Sequence, residues 1–273
     1  MAEKKVENNI KLDKRKGQYI LKDEQIIKRQ IDYAGLKGHE TVLEIGPGLG
    51  ALTFKLANKA KQVIAIEKDP RLFSYLKERI PKNVELINAD VMKIAIPRFD
   101  VVVSNLPYQI SSPVTFKLLD SKFERAILMY QKEFAERMVA KAGDSGYSRL
   151  SVNVYYKADC RILEAVPKEA FSPVPEVDGA IIELIPRPSP FYVKSEKMFF
   201  NVVEVLFNQR RKKIKNPLMS FVAKEMKNRG NYSKSAVISI LQNLPFMDNR
   251  VESLSPEDIA RLVDELYVSI VEN

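Results

Sequence analysis

The chain has 273 residues, a formal net charge of +9 and 45% hydrophobic residues, with one cysteine, one histidine and no tryptophan. At roughly 100 to 200 residues per domain, this length allows one large domain or two unequal domains, and the apolar content excludes disorder as the main state. Because Cys160 and His39 are single residues of their kinds, an intramolecular disulfide, a thiolate metal cluster and a histidine-rich metal site are excluded. No apolar run reaches the roughly 18 residues of a membrane span. We therefore expect a cytoplasmic protein with no signal peptide, no metal and no membrane partner.

Helical and β-like segments alternate over the first two thirds of the chain. A first helix is predicted over Asp23–Ala34, and it ends at Gly35, a residue type that favours helix ends. The segments after it are predicted as strands at Thr41–Ile45, Gln62–Ile66, Val84–Ile87, Asp100–Ser104, Ala126–Tyr130, Ser151–Tyr156 and Gly179–Ile185, with helices at Ala51–Lys59 and Asp69–Ile80 and helices opening near Ser112 and Glu133. Such alternation indicates β-α-β units on a sheet covered on both faces. We predict an α/β fold with a doubly wound, mostly parallel sheet.

A proline-rich stretch divides the chain in two. Three prolines fall within Pro186–Pro190. The pattern beyond them is helical, at Glu196–Asn208, Pro217–Asn228, Lys234–Gln242 and from Ser255 onward. We predict an α/β domain over residues 1–186, with a basic N-terminal arm at Met1–Lys16, and a small all-α domain over residues 187–273.

Positive charge is concentrated in the predicted second domain. The segment from Asn208 to Lys234 has nine lysines and arginines against one acid, a local excess of +8. A basic run of this kind can be a solvated face. Here, however, Phe207, Asn208 and Gln209 lead directly into the cations, and aromatic and amide side chains beside cations suit stacking together with phosphate contacts. We expect a polyanionic partner to contact Arg210, Arg211, Lys212, Lys213 and Lys215.

Three of the ten glycines cluster after the first strand, which indicates that the backbone conformation there requires glycine. Gly46, Gly48 and Gly50 let the chain turn sharply and let a ligand approach without Cβ interference. A nicotinamide site is one alternative, but its glycine spacing is GxGxxG rather than the GxGxG found here. Glu67 follows the second strand, where a carboxylate can accept hydrogen bonds from both ribose hydroxyls. Asp90 follows the third strand at the same edge; as an isolated residue it would be interpreted as a helix cap or a solvated acid. Together these residues predict a nucleoside site.

The fourth strand ends in Asn105-Leu106-Pro107-Tyr108, and each residue suits methylation of an adenine amine. The lone pair of that amine is delocalised into the ring, so an enzyme must draw the nitrogen toward tetrahedral geometry. The side-chain oxygen of Asn105 and the carbonyl of Leu106, held in extended backbone by Pro107, are two suitable acceptors. Tyr108 offers a ring on which a flipped base can stack. The alternative interpretation is an ordinary turn at the end of a strand.

The segment Glu44–Gly50 resembles motif I of the class I S-adenosylmethionine-dependent methyltransferases, which have a Rossmann-like fold. The resemblance implies S-adenosylmethionine as cofactor, with Glu67 and Asp90 at its ribose and adenine. It also places Glu44, Gly46, Gly48 and Asn105 among the cofactor-binding residues.

Asn-Leu-Pro-Tyr and three further motifs resemble the ribosomal RNA adenine N6,N6-dimethyltransferases. Gly17–Leu21 is similar to an N-terminal motif that closes over the cofactor, which implies contacts from Gln18, Tyr19 and Leu21, although Tyr19 replaces the usual Asn or His. Phe171–Asp178 is similar to a loop whose phenylalanine covers the target base; core packing is the other interpretation of Phe171. Phe207–Lys212 is similar to the basic motif at the start of the RNA-binding region of the family.

The resemblance implies a monomeric enzyme that transfers methyl groups to N6 of two adjacent adenosines near the 3′ end of small-subunit rRNA. Residues 1–186 would be the catalytic domain and residues 187–273 the RNA-binding domain. Two alternative functions are compatible with the same motifs. One is a large-subunit rRNA adenine methyltransferase of the antibiotic-resistance type. The other is a non-catalytic ribosome-assembly or transcription factor with the same fold. The glycine spacing and Asn-Leu-Pro-Tyr disfavour an oxidoreductase.

Overall fold

A computed structural model describes residues 12–13 and 17–272 of the chain. The strands are β1 (Ile20–Leu21), β2 (Thr41–Ile45), β3 (Gln62–Glu67), β4 (Val84–Asn88), β5 (Val101–Asn105), β6 (Arg125–Gln131), β7 (Ala158–Val166), β8 (Phe171–Ser172) and β9 (Gly179–Pro186). The helices are α1 (Glu24–Ala34), α2 (Thr53–Ala57), α3 (Pro70–Lys77), α4 (Ser111–Leu119), α5 (Lys132–Val139), α6 (Arg149–Lys157), α7 (Glu196–Phe207), α8 (Lys215–Asn228), α9 (Lys234–Asn243) and α10 (Pro256–Tyr267). The predicted N-terminal arm, Met1–Lys16, lies outside the described residues except for Leu12 and Asp13.

In the described part of the chain, seven strands form one large sheet in the order β4-β3-β2-β5-β6-β9-β7. The first five of these pair in parallel, whereas β9 runs antiparallel to both β6 and β7. The central strands are buried on both faces, which explains their nearly continuous apolar sequences. The predicted α/β fold with a mostly parallel sheet is confirmed. The chain order reverses between β2 and β5, so the carboxyl ends of these strands flank a crevice suited to a ligand.

The strand predicted at Ser151–Tyr156 is wrong, because these residues belong to helix α6. Their β-branched and aromatic side chains produced a strand-like local pattern. Packing among helices decides the outcome instead: Val152 and Tyr156 are buried, and the ring centroid of Tyr156 lies 5.1 Å from that of Phe199. The strand is β7, which the sequence analysis missed. It lies at the edge of the sheet, so much of it is exposed and it lacks an apolar run.

The chain divides into two compact units. The first unit comprises the described residues up to Ala135 together with Ala158–Arg187, and it contains the large sheet. The second unit comprises Glu136–Lys157 and residues 188–272; it is helical, around a core that includes Phe199, Leu206 and Leu262. The boundary after residue 186 stays a prediction, and the structure groups Glu136–Lys157 with the later helices. In the described part of the chain, none of the helices combines the length and the apolar composition of a membrane span.

Candidate active site

A cavity of about 340 Å³ opens in the first unit at the carboxyl ends of β2, β3, β4 and β5. Eleven of the predicted site residues line it: Gln18, Tyr19, Gly46, Gly48, Glu67, Asp90, Asn105, Leu106, Pro107, Tyr108 and Phe171. The remaining lining residues include Lys68, Asp69 and Met129, which the sequence analysis did not assign to the site. The cavity therefore brings the predicted nucleoside and base residues into one space.

The crevice is formed where β2 and β5 separate. Their ladder pairs Val42 with Val101 and Leu43 with Val102. Further along, the strands are joined through a side chain, because the buried hydroxyl of Ser104 donates to the Ile45 carbonyl at 2.6 Å and accepts from the Ile45 amide at 3.3 Å. Ser104 thus satisfies backbone groups at the point where the strands diverge.

The glycine turn after β2 needs residues without a Cβ. Gly46 and Gly48 have φ angles of +73° and +62°, in the left-handed region that glycine adopts at little cost. A Cβ on Gly46 would lie 3.3 Å from the Pro107 ring, closer than ordinary van der Waals contact. The backbone can therefore form the cavity wall directly beside Asn105-Leu106-Pro107-Tyr108.

Glu67 is held in place by backbone amides at the end of β3. Its side chain accepts from the Asp69 amide at 2.7 Å through Oε1 and from the Gly48 amide at 3.3 Å through Oε2. Only 6% of the residue is exposed, and burial raises its pKa despite these bonds. Because each carboxylate oxygen has two lone pairs, acceptor capacity remains for the hydroxyl groups of a ligand.

Asp90 lies at the cavity wall after β4 and is paired with a lysine. Its Oδ2 is 2.9 Å from Nζ of Lys68, and its Oδ1 accepts from the Met92 amide at 3.0 Å. The hydrogen bond from Lys68 is the main reason that the pKa of Asp90 lies below its usual range. Lys117 steadies the same loop, since its ammonium donates to the Val91 and Ile94 carbonyls. A carboxylate is thereby presented on a fixed loop.

Two polar atoms in the cavity wall have no hydrogen-bond partner among the described residues. They are Oδ1 of Asn105 and the hydroxyl of Tyr108, and both atoms are buried. Burial raises the pKa of Tyr108 to about 12. An unsatisfied buried polar atom costs about 1–3 kcal/mol, so such atoms in a cavity point to a ligand that supplies the missing partners. A nucleoside cofactor and an adenine amine fit this requirement.

Aromatic rings form one part of the cavity wall. The ring centroids of Tyr19 and Tyr108 are 5.6 Å apart, with the ring planes inclined by 31°. Phe171 also lines the cavity but is only 2% exposed. Its ring packs close to Gly179, where an added Cβ would lie 3.4 Å from Cζ of Phe171. Phe171 thus packs into the core while also facing the cavity.

Asp69 is one of the lining residues that the sequence did not predict as part of the site. It was interpreted only as the start of a helix, and it does cap α3 by accepting from the Arg71 amide at 3.0 Å. Its other oxygen accepts from Nε2 of Gln18 at 3.0 Å. The Arg71 guanidinium, 2.6 Å away, holds the pKa of Asp69 well below its usual range. The only local sign of a role for Asp69 was the Asp-Pro pair after a strand. Its hydrogen-bond partner Gln18 lies 51 residues earlier in the sequence.

Two residues predicted as cofactor contacts lie outside the cavity wall. Leu21 is 2% exposed and packs in the core of the first unit. Glu44 is 2% exposed, its Oε2 has no hydrogen-bond partner among the described residues, and burial raises its pKa to about 8. Their role in binding the cofactor stays a prediction.

Replacing Glu44 by glutamine should flatten the pH dependence of the free energy of unfolding between about pH 4.5 and pH 8. The pKa of Glu44 rises from an ordinary value of 4.5 to about 8, so the native state keeps a proton that the unfolded state releases in this window. Stability therefore falls as the pH rises, and a glutamine does not titrate. Urea unfolding at a series of pH values measures the slope. A slope equal to that of the wild-type protein would contradict the assignment.

The predicted RNA-binding residues have different surroundings in the second unit. Arg210 donates to the Ser145 carbonyl at 2.7 Å and to the Tyr147 carbonyl at 3.1 Å. Lys213 and Lys215 both pair with Asp248, at 3.0 and 3.2 Å. Arg211 and Lys212 are exposed, and neither side chain makes a hydrogen bond or ion pair within the described residues. These two are therefore the cations of this group most available to an external anion.

The family model, the related sequences and the related structures all indicate the same family. A family model described as ribosomal RNA adenine dimethylase matches residues 9–266. A protein of Methanosarcina acetivorans named "Probable ribosomal RNA small subunit methyltransferase A" is 47% identical over 255 residues, covering 92% of each chain. The crystal structure of a dimethyladenosine transferase from Plasmodium falciparum is 34% identical, covers 92% of this chain and 98% of its own, and has a TM-score of 0.78. The 23S rRNA methyltransferase ErmE is 30% identical, covers 90% of this chain and 99% of its own, and has a TM-score of 0.63.

The sheet order and the position of the cavity are those of a class I, Rossmann-like methyltransferase fold with a helical C-terminal region. With the family model covering most of the sequence, this chain belongs to the ribosomal RNA adenine dimethylase family.

Proposed function

We propose that this protein transfers methyl groups from S-adenosylmethionine to N6 of two adjacent adenosines near the 3′ end of small-subunit rRNA. The observation that carries the proposal is the buried Asn105 oxygen, which has no described partner and lines the same cavity as Glu67 and Asp90. A nucleoside cofactor and an adenine can therefore share one space. Monomeric action in the cytoplasm stays a prediction.

The cofactor half of the site would be held by the glycine turn and two carboxylates. Glu67 would accept hydrogen bonds from the ribose hydroxyls, and Asp90 would accept from the adenine. The backbone of Gly46 and Gly48, which lines the cavity, would contact the amino-acid part of the cofactor. The bound cofactor supplies a methyl group activated by its sulfonium charge.

The base half of the site would prepare the adenine amine for attack. Asn105 Oδ1 and the Leu106 carbonyl would accept hydrogen bonds from the two N–H groups of the amine, which draws the lone pair out of the ring and toward the methyl group. No strong base is needed, because the methylated nitrogen is cationic and releases its proton readily to water. Tyr108 and Phe171 would stack on the base, and stacking is worth about 1–3 kcal/mol per base.

The names of the relatives support the small subunit as the source of the RNA. The Methanosarcina relative, at 47% identity, is named for the small subunit, whereas ErmE, at 30% identity, is named for 23S rRNA. Glu67, Asp90 and Asn105 all line one cavity, which supports an enzyme over a non-catalytic assembly or transcription factor.

The decisive experiment offers radiolabelled methyl donor together with unmodified small and large ribosomal subunits, then maps the labelled base. The proposal expects label on two adjacent adenosines of the small-subunit rRNA. Label on large-subunit adenosines alone would favour the antibiotic-resistance type of enzyme. Absence of label from both subunits would favour a non-catalytic factor.

Removing the charges of Arg211 and Lys212 should reduce the salt dependence of subunit binding. If each neutralises a phosphate, the slope of log affinity against log salt flattens by about 0.7 to 0.9 per lost contact. The double change Arg211→Gln and Lys212→Gln is compared with Lys213→Gln and Lys215→Gln, whose cations are already paired with Asp248. Binding measured over a salt series should show the larger change in the first variant.

Affinity for S-adenosylhomocysteine should be unchanged in both variants, because the cavity is lined by residues of the first unit. An unaltered slope in the Arg211 and Lys212 variant would place the RNA surface elsewhere. The basic residues of Met1–Lys16 would then be the next candidates.

A further inference from the structure

We propose that Gln18 and Asp69 form a positioning pair that couples cofactor binding to the placement of Phe171 against the target base. The inference rests on the proposed function, since it concerns the two halves of the same site. It assigns a positioning role to Asp69, and it gives Gln18 a second role in addition to direct contact with the cofactor.

Gln18 connects the N-terminal segment 17–21 to the end of β3. Its Nε2 donates to Asp69 Oδ2 at 3.0 Å, while its Oε1 accepts from the Asp13 amide at 2.8 Å. The segment turns at Gly17, which has a φ of +67°, and a Cβ there would lie 3.4 Å from the Tyr108 amide nitrogen. The side chain of Gln18 therefore ties this segment to the cofactor half of the cavity by a direct hydrogen bond.

Asp69 is linked to the residue proposed to bind the ribose. Its amide donates to Glu67 Oε1 at 2.7 Å, while its side chain accepts from Gln18. Only 7% of Asp69 is exposed, and the Arg71 guanidinium and the α3 cap fix its carboxylate. A ligand that orders Glu67 will therefore also restrain the Asp69 backbone, which carries the acceptor of the Gln18 bond.

The same N-terminal segment is joined to Phe171 by backbone pairing. In the two-stranded sheet of β1 and β8, Leu21 is opposite Phe171 and Ile20 is opposite Ser172. The Lys22 amide donates to the Ala170 carbonyl at 2.9 Å, which extends the connection. Gln18 precedes Leu21 by three residues, so fixing Gln18 restricts β1 and, through the ladder, the backbone that carries Phe171. In this arrangement, the ordered cofactor site prepares the surface on which the base stacks.

Hydrogen–deuterium exchange of residues 168–172, with and without saturating S-adenosylhomocysteine, tests the coupling. Because a hydrogen bond to a charged acceptor changes an equilibrium by about tenfold or more, the ligand should slow exchange in this segment about tenfold or more in the wild-type protein. The slowing should be lost in Gln18→Ala and in Gln18→Glu, which would set a carboxylate against Asp69. Calorimetry confirms that each variant is saturated with the ligand.

Gln62 provides matched controls. Its Nε2 also donates to a carboxylate, that of Glu85 at 3.1 Å, but the bond is exposed, joins β3 to β4 and lies outside the cavity wall. Gln62→Ala and Gln62→Glu should keep the full slowing. Equal slowing in the saturated Gln18 variants, or none in the saturated wild-type protein, would overturn the coupling and leave the proposed function standing. If the wild-type protein failed to bind S-adenosylhomocysteine, the proposed function and the coupling would both fall.

Discussion

Replacing Asn105 by alanine is expected to lower the rate of methyl transfer by about 10²- to 10³-fold, the effect of losing one preorganised polar group that acts in the transition state. Its side-chain oxygen is buried in the cavity wall without a described partner, so it is available to accept from the adenine amine. Affinity for S-adenosylhomocysteine should change much less, because Glu67 and Asp90 are retained. Single-turnover transfer from labelled S-adenosylmethionine to unmodified small subunits measures the rate, and calorimetry measures the affinity.

Asn153 offers a matched control for this substitution. Its Oδ1 is also buried without a described hydrogen-bond partner, but the residue lies in α6 of the second unit and is not part of the cavity wall. Asn153→Ala should therefore leave the single-turnover rate close to that of the wild-type protein. If Asn105→Ala also kept a single-turnover rate close to that of the wild-type protein, Asn105 would have no part in the mechanism.

The strand pattern alone predicts the site residues that follow strand ends, whereas Gln18, Tyr19 and Phe171 were predicted from motif resemblance. Gly46, Glu67, Asp90 and Asn105 each come at or just after a strand, and the carboxyl ends of parallel strands share one edge of a sheet. Once the strands were identified, the residues were expected to meet, and they line one cavity. Local sequence sufficed here because the fold itself brings these positions together.

Features that depend on distant partners could not be predicted in this way. Asp69 carries a local signal for a helix cap, but its bond to Gln18 requires the N-terminal segment to lie over the cavity. Arg210 counts as one of several cations in the sequence, yet its guanidinium is bound to two backbone carbonyls of its own unit. The strand-like pattern of Ser151–Tyr156 was overridden by packing among helices. Charge and periodicity therefore located the segments, whereas the individual partners came from tertiary structure.

Glu67 gives the sharpest test of the cofactor site. Glu67→Ala should lower affinity for S-adenosylhomocysteine at least about tenfold, because two hydrogen bonds from ribose hydroxyls to a charged acceptor are lost and about 1.4 kcal/mol already corresponds to a factor of ten. The substitution also releases the Gly48 and Asp69 amides that the carboxylate holds, so the wall around the ligand loses support. Asp90→Ala should act in the same direction but more weakly.

A second carboxylate of the large sheet separates loss of the ligand contact from loss of a buried charge. Glu183 on β9 is 7% exposed, close to the 6% of Glu67, and its Oε2 pairs with Arg161 at 2.6 Å, outside the cavity wall. Glu183→Ala should therefore reduce stability while leaving the dissociation constant unchanged. Calorimetric titration of both folded variants with S-adenosylhomocysteine makes the comparison. If Glu67→Ala bound the ligand as tightly as Glu183→Ala, Glu67 could not be the ribose acceptor and the nucleoside would have to occupy the cavity in another orientation.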